Sequence, residues 1–210
     1  MKFRSLAILI GVFTTITFAA EMSSATIRKA YYSSYELEKQ QRYAESSKAL
    51  DAVAQAYPQS YTVNYRRGWL AYLAGNFTDA KKFFQVALTQ YPASLEVRKG
   101  LVLVDVARKS WKEVEQQCRI GRKTDYYNLD FSYWQAVALR VQGQLDAASK
   151  VVDEITILYP TNTSFLAELA RIRLAQNKKD QVNILLEAIF VLDPYNQEAV
   201  AIQKQMTATK

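Results

Sequence analysis

Gly68-Trp69-Leu70-Ala71-Tyr72-Leu73-Ala74-Gly75-Asn76-Phe77-Thr78-Asp79-Ala80-Lys81-Lys82-Phe83-Phe84-Gln85-Val86-Ala87-Leu88-Thr89-Gln90-Tyr91-Pro92 is the stretch that decides the fold. It reads as one helix ending near Gly75, a short turn, and a second helix stopped by Pro92, which can neither donate an amide hydrogen nor continue the helical backbone without a clash. Gly68 and Ala80 are small enough for two antiparallel helices to approach closely. Phe84 is large enough to fill the gap to the next helix pair.

Pro92 also sets a phase. Pro58 lies 34 residues before it, and Pro160 and Pro194 lie 68 and 102 residues after it, so all four prolines of the chain fall on one 34-residue lattice. Only Tyr126 occupies a lattice point without Pro. The lattice divides the chain into units of about 27–60, 61–94, 95–128, 129–162 and 163–196. Ala136 and Ala170 stand at the Gly68 place, Ser34 is nearly as small, and Val102 departs. The Phe84 place holds Leu50, Cys118, Val152 and Leu186 in the other units. The third unit diverges most, with Gly121 at the Ala87 place. Its second helix is expected to be the weakest link, opening first between Trp111 and Tyr127.

Gly68, Ala80, Phe84, Ala87 and Pro92 resemble the tetratricopeptide repeat (TPR) pattern. The resemblance implies an all-α chain, a TPR superhelical solenoid of five helix-turn-helix repeats plus a C-terminal capping helix over 197–206, in one right-handed superhelix. A helix pair cannot bury its apolar face alone, so the units stack and the last needs a polar cover. Residues 27–210 are expected to form a single TPR domain, with no linker to a second one.

Residues 1–19 read as a secretory signal peptide: Lys2 and Arg4, then an uncharged apolar run to Phe18, then small residues. Thr17 and Ala19 form a small-x-small site that favours cleavage after Ala19, with Ser23 and Ala25 as a second site. The run is short of the roughly 20 residues of a spanning helix, so membrane contact is expected only if cleavage fails. Residues 20–26 read as a short unstructured lead. The expected location is exported, periplasmic or secreted. Losing Lys2 and Arg4 lowers the net charge from +7 to +5. Lys and Arg are scattered, so nucleic acid is not an expected partner.

The chain has no His and one Cys. Ser/His/Asp and Cys/His catalysis and His-ligated metals are thereby excluded, and an internal disulfide with them. Cys118, at the Phe84 place, reads as a small core residue. No phosphate loop or calcium loop is present, and adjacent acidic pairs such as Glu113/Glu115 and Asp153/Glu154 diverge on a helix. No cofactor, metal or catalytic activity is expected.

The resemblance implies that a stripe of each first helix lines a concave groove. In unit two the stripe is Tyr65, Trp69 and Tyr72, whose i, i+4, i+7 spacing places them on one face. Unit one has Tyr31, Tyr35 and Glu38, unit three Lys99, Leu103 and Val106, unit four Tyr133, Val137 and Arg140, and unit five Ala167, Arg171 and Leu174. The candidate groove residues are Tyr31, Tyr35, Tyr65, Trp69, Tyr72, Tyr133, Arg140 and Arg171: aromatic at the N-terminal end, with isolated cations further on. Rings supply contact area at low entropic cost, and the alternative role for them is packing between neighbouring first helices. The Lys and Asn with which some TPR adaptors hold a C-terminal carboxylate are replaced here by Tyr31 and Tyr35. The expected function is a non-enzymatic envelope scaffold binding a peptide or protein segment; the alternative is a polysaccharide-binding accessory protein of an envelope export or assembly system.

Overall fold

The computed structural model describes residues 22–208, so the expected signal segment lies outside the described residues. Within them the chain is helical throughout: α1 (Ser24–Lys39), α2 (Tyr43–Lys48), α3 (Asp51–Ala56), α4 (Tyr61–Leu73), α5 (Phe77–Gln90), α6 (Leu95–Ala107), α7 (Trp111–Thr124), α8 (Leu129–Val141), α9 (Leu145–Thr156), α10 (Thr163–Ala175), α11 (Lys179–Leu192) and α12 (Gln197–Ala208). These form five antiparallel pairs and a terminal helix, the solenoid expected from the 34-residue lattice.

The helix starts recur because their caps do. Two residues after each proline-lattice point stands Ser60, Ser94, Asn128, Asn162 or Asn196. In the last four, the side chain accepts the amide hydrogen of Val97, Phe131, Phe165 or Ala199, at 2.9 to 3.4 Å. The turns inside the pairs recur as strictly. Backbone φ is positive at Gln41, Gly75, Lys109, Gly143 and Asn177, five positions spaced by 34 residues. Glycine adopts this conformation freely, whereas Gln41 and Lys109 hold it against the steric cost of a Cβ.

First helices touch first helices: α4 packs on α6, α6 on α8, α8 on α10 and α10 on α12, while no two consecutive second helices from α5 to α11 pack to the same degree. The stack therefore curves toward its first helices, which form the inner face. Phe84 locks the joint between units two and three. A Cβ added to Gly68 would lie 2.7 Å from the Phe84 ring, and one added to Gly100 would lie 2.6 Å from it, so the ring occupies space that only two glycines leave open.

Two expectations are corrected. The lead is shorter than expected, because α1 begins at Ser24: Ser23 caps it by accepting the Thr26 amide hydrogen, and Met22 packs against the first core cluster and donates to Tyr57 Oη at 3.1 Å. The C-terminal helix runs two residues further, to Ala208. One second arm is interrupted, and it is not that of the third unit. α7 is continuous and closed by Arg122, which lies under the surface, donates to the Tyr126 carbonyl at 3.0 Å, to Gln135 at 2.9 Å and to Glu154 at 2.7 Å. The same carbonyl accepts a side-chain bond where the proline is present, from Asn64 at Pro58 and from Arg98 at Pro92. The interruption falls in unit one, where Leu50 N bonds back to Ser47 and divides the second arm into α2 and α3.

Candidate functional site

Two recesses open on the inner face. The first, about 440 Å³, is lined by Tyr31, Tyr35 and Glu38 of α1, Tyr61, Thr62, Tyr65, Arg66 and Trp69 of α4, and Glu96 of α6. The i, i+4 spacing turns Tyr31 and Tyr35, and likewise Tyr65 and Trp69, to the same side of their helices, as the sequence implied. Tyr61 and Tyr65 lie parallel with ring centres 6.0 Å apart.

The polar centre of this recess is Arg66. Its residue is 5% exposed, so its charge must be compensated locally. Nη1 donates to Glu38 Oε2 and Nε to Ser34 Oγ at 3.2 Å, while the guanidinium carbon lies 3.7 Å from the centre of the Tyr35 ring. The second oxygen of Glu38 accepts from Trp69 Nε1 at 3.0 Å. Both oxygens of Glu38 are thus engaged. Arg66 Nη2 has no acceptor, and Tyr31 Oη, beside the Thr62 hydroxyl, forms no hydrogen bond of proper geometry. At the mouth Tyr61 Oη donates to Glu96 and shares a hydrogen bond of 2.9 Å with Ser94. Burial, then the Glu96 carboxylate beside it, pushes the Tyr61 hydroxyl up to about 12. Burial likewise raises Tyr31 and Tyr65, so all three phenols stay protonated and able to donate at neutral pH.

The second recess, about 320 Å³, is lined by Arg140 of α8, Arg171, Leu174 and Ala175 of α10, Asn177, Lys179, and Gln205 of α12. The cations expected to be isolated are in fact joined. Arg140 Nε donates to Glu168 Oε1 at 2.6 Å, and Arg171 reaches Glu168 at 3.6 Å and Glu198 at 3.2 Å. Glu168 is fully buried, and that burial raises its carboxyl above the usual range while the two arginines oppose the rise. Tyr133 sits nearby with its ring edge on Phe165, 5.8 Å between centres, and helps cover the core around Leu139, Val152 and Ile155.

Of the candidate residues, Tyr31, Tyr35, Tyr65 and Trp69 share the first recess, and Arg140 and Arg171 share the second. Tyr72 lies outside both, between Trp69 and Phe77. Tyr65, Trp69 and Tyr72 also pack on the Phe84 cluster, so the stripe carries packing as well as recess wall. Val137 and Ala167 of the stripe are buried. Sequence reasoning missed Arg66, Tyr61 and Glu96. A signal for the first existed: Glu38 and Arg66 are 28 residues apart, and Arg140 and Glu168 repeat that spacing three units later with the charges exchanged.

Nothing in either recess resembles a reaction centre. Among the described residues no group of His, Cys, Asp and Glu is placed to hold a metal ion. Cys118 is fully buried, and burial drives its thiol far above the reactive range. Among those residues, too, no helix is long and apolar enough to cross a membrane.

Comparison with known proteins bears on the architecture. Residues 34–94 match the family model described as tetratricopeptide repeat. The human tetratricopeptide repeat protein 7A is 30% identical over 113 residues, which are 52% of this chain and 13% of that protein. The chain thus spans about an eighth of the length of that curated relative. Among solved structures, YrrB, described as a TPR protein with an unusual peptide-binding site, superposes with a TM-score of 0.72 at 15% identity, covering 87% of this chain and 92% of that one. MamA from Desulfovibrio magneticus RS-1 superposes with a TM-score of 0.70 at 14% identity, covering 82% of this chain and 95% of that one.

Proposed function

The chain belongs to the tetratricopeptide repeat family, and on that premise we propose that it is a non-enzymatic scaffold which holds an extended segment of a partner protein along its inner face, outside the cytoplasm. The observation that carries the reading is the first recess: aromatic walls from two neighbouring repeats around a buried guanidinium with an unused donor. The combination of an unused donor and an open aromatic trough in one place supports binding, since each costs free energy that a partner would recover. The peptide-binding site named for YrrB supports the same reading by analogy of fold. The apolar run before Ala19 supports export.

Tyr35 and Tyr65 separate binding from packing. Tyr35 is 51% exposed and its ring lies over the Arg66 guanidinium, so its truncation should lower the melting temperature only slightly. Tyr65 touches Phe84, with ring centres 6.0 Å apart, and should lower both stability and affinity. The partner is first to be recovered by crosslinking and pull-down from envelope fractions. Tyr35→Ala should then weaken it by about 1–2 kcal/mol, with a smaller drop in melting temperature than Tyr65→Ala. Unchanged affinity in Tyr35→Ala would reduce the stripe to packing, and capture of a glycan in place of a protein would move the chain to the polysaccharide-binding class. Fractionation of the expressing cells tests the location: a cytoplasmic product retaining residues 1–19 would refute export.

A further inference from the structure

The first recess is chemically lopsided, and the lopsidedness identifies what it accepts. Two donors have no acceptor there, Arg66 Nη2 and Tyr31 Oη, and both are buried. They call for an oxygen. A carboxylate is a poor choice, because the Arg66 charge is already matched by Glu38. The remaining charge in the lining is Glu96, which is exposed and, among the described residues, paired with no cation; its hydrogen bond comes from the neutral Tyr61 hydroxyl. The recess therefore carries one uncompensated negative charge on a protein whose net charge is +7. A neutral carbonyl oxygen fits the two donors, and a cation fits Glu96. The lining agrees, since Tyr61 and Tyr65 share the recess with Glu96 and ring faces attract ammonium and guanidinium groups.

We propose that this recess selects a basic segment of an extended polypeptide: a main-chain carbonyl accepts from Arg66 and Tyr31, and a neighbouring Lys or Arg side chain runs over Tyr61 and Tyr65 to Glu96. The inference rests on the reading of the inner face as a peptide-binding surface and adds the sign of the peptide. That sign is opposite to the one the overall charge suggests, because a single carboxylate a few ångströms away outweighs distant surface lysines that salt screens.

The test is an array of short random-sequence peptides probed at physiological salt, where the distant charges are screened, with the full chain and with three variants. The wild type should retain peptides enriched in Lys and Arg. Glu96→Gln, a surface change, should weaken those peptides by roughly three- to tenfold and erase the enrichment while leaving neutral peptides bound. Tyr31→Phe removes only a hydroxyl, and should weaken all retained peptides alike by roughly threefold with the preference unchanged. Enrichment in Asp and Glu, no charge preference, or a basic preference that survives Glu96→Gln would overturn the proposal while leaving the peptide-binding reading intact. No retention by the wild type above that of Tyr35→Ala would overturn both. Circular dichroism melts of each variant confirm that a lost signal is not lost fold.

Discussion

Positions 38 and 66 hold Glu and Arg; three repeats on, positions 140 and 168 hold Arg and Glu. Both pairs join neighbouring first helices on the inner face, yet the two recesses they floor have opposite character. In the N-terminal one the buried member is a cation with a donor to spare, and the open charge is Glu96. In the C-terminal one the buried member is the carboxylate of Glu168, saturated by two arginines, and the face turned outward is cationic through Arg140, Arg171 and Lys179. An ion pair occupies these positions at the first and last of these joints only, in opposite senses; the joints between hold Tyr72 with Gly100 and Val106 with Trp134. The sense decides what each recess can hold, so one groove has an acidic aromatic end and a basic end.

The core repeats the lesson in another form. At the joint of units two and three the second helix supplies the large residue, Phe84, and first helices supply glycines. At the next joint the roles reverse: Cys118 and Gly121 on the second helix are small, and Phe131 from the following first helix fills the space, 2.6 Å from where a Gly121 Cβ would be. Phe84→Ala and Phe131→Ala should each cost about 3–5 kcal/mol, because each leaves a cavity bordered by residues too small to collapse into it. Urea denaturation checks both. Equal losses would confirm that Gly121 is a packing partner, whereas a small loss for Phe131→Ala would restore the third unit to the weakest place in the stack.

The ion pairs give the next largest contrast. Removing both partners of Glu168, in Arg140→Ala/Arg171→Ala, should cost about 3 kcal/mol at neutral pH, since it strands a buried carboxylate. The folded state already holds the Glu168 proton more tightly than an unfolded chain does, because burial disfavours the charge. Its contribution therefore becomes more favourable as pH falls through the raised folded value, and is complete below the unfolded value near 4. The deficit of the double variant should accordingly shrink between neutral pH and about 4. Arg66→Ala should cost less, because the Glu38 side chain it deserts keeps 22% of its exposure and can rehydrate. A deficit independent of pH would show that the Glu168 charge is compensated by other means.

The smallest effect concerns the turns. Lys109 and Gln41 hold positive φ where Gly75 and Gly143 stand in other units. Lys109→Gly and Gln41→Gly should each raise stability by about 0.5–1 kcal/mol, relief of Cβ strain exceeding the extra entropy of glycine in the unfolded chain. Thermal melts read this directly, and a loss would mean that those side chains make contacts worth more than the strain.

Much of this was legible before any coordinates, for a physical reason. A solenoid makes the same local demands at every step, so proline, cap, turn and small-residue positions recur at 34 residues and betray themselves by their spacing. That spacing located the five pairs, Phe84 as a core ring, and four of the tyrosine and tryptophan side chains that line the first recess. It did not show what lies on each residue: Phe131 packs on Gly121, and Arg122 reaches the Tyr126 carbonyl.

Period, helix pairing and the aromatic stripe thus follow from the chain alone, because each depends on residues within one unit or on strict repetition between units. Three matters were decided only by the tertiary structure: which of two facing helices fills each joint, which member of each ion pair is buried, and which polar atoms are left without a partner. Arg66, Glu38 and Glu96 come from three different helices, and nothing in their separate positions says that Glu38 pairs with Nη1 of Arg66 while Nη2 is left without an acceptor. A recess is a property of the space between repeats, and that space exists only once they stack.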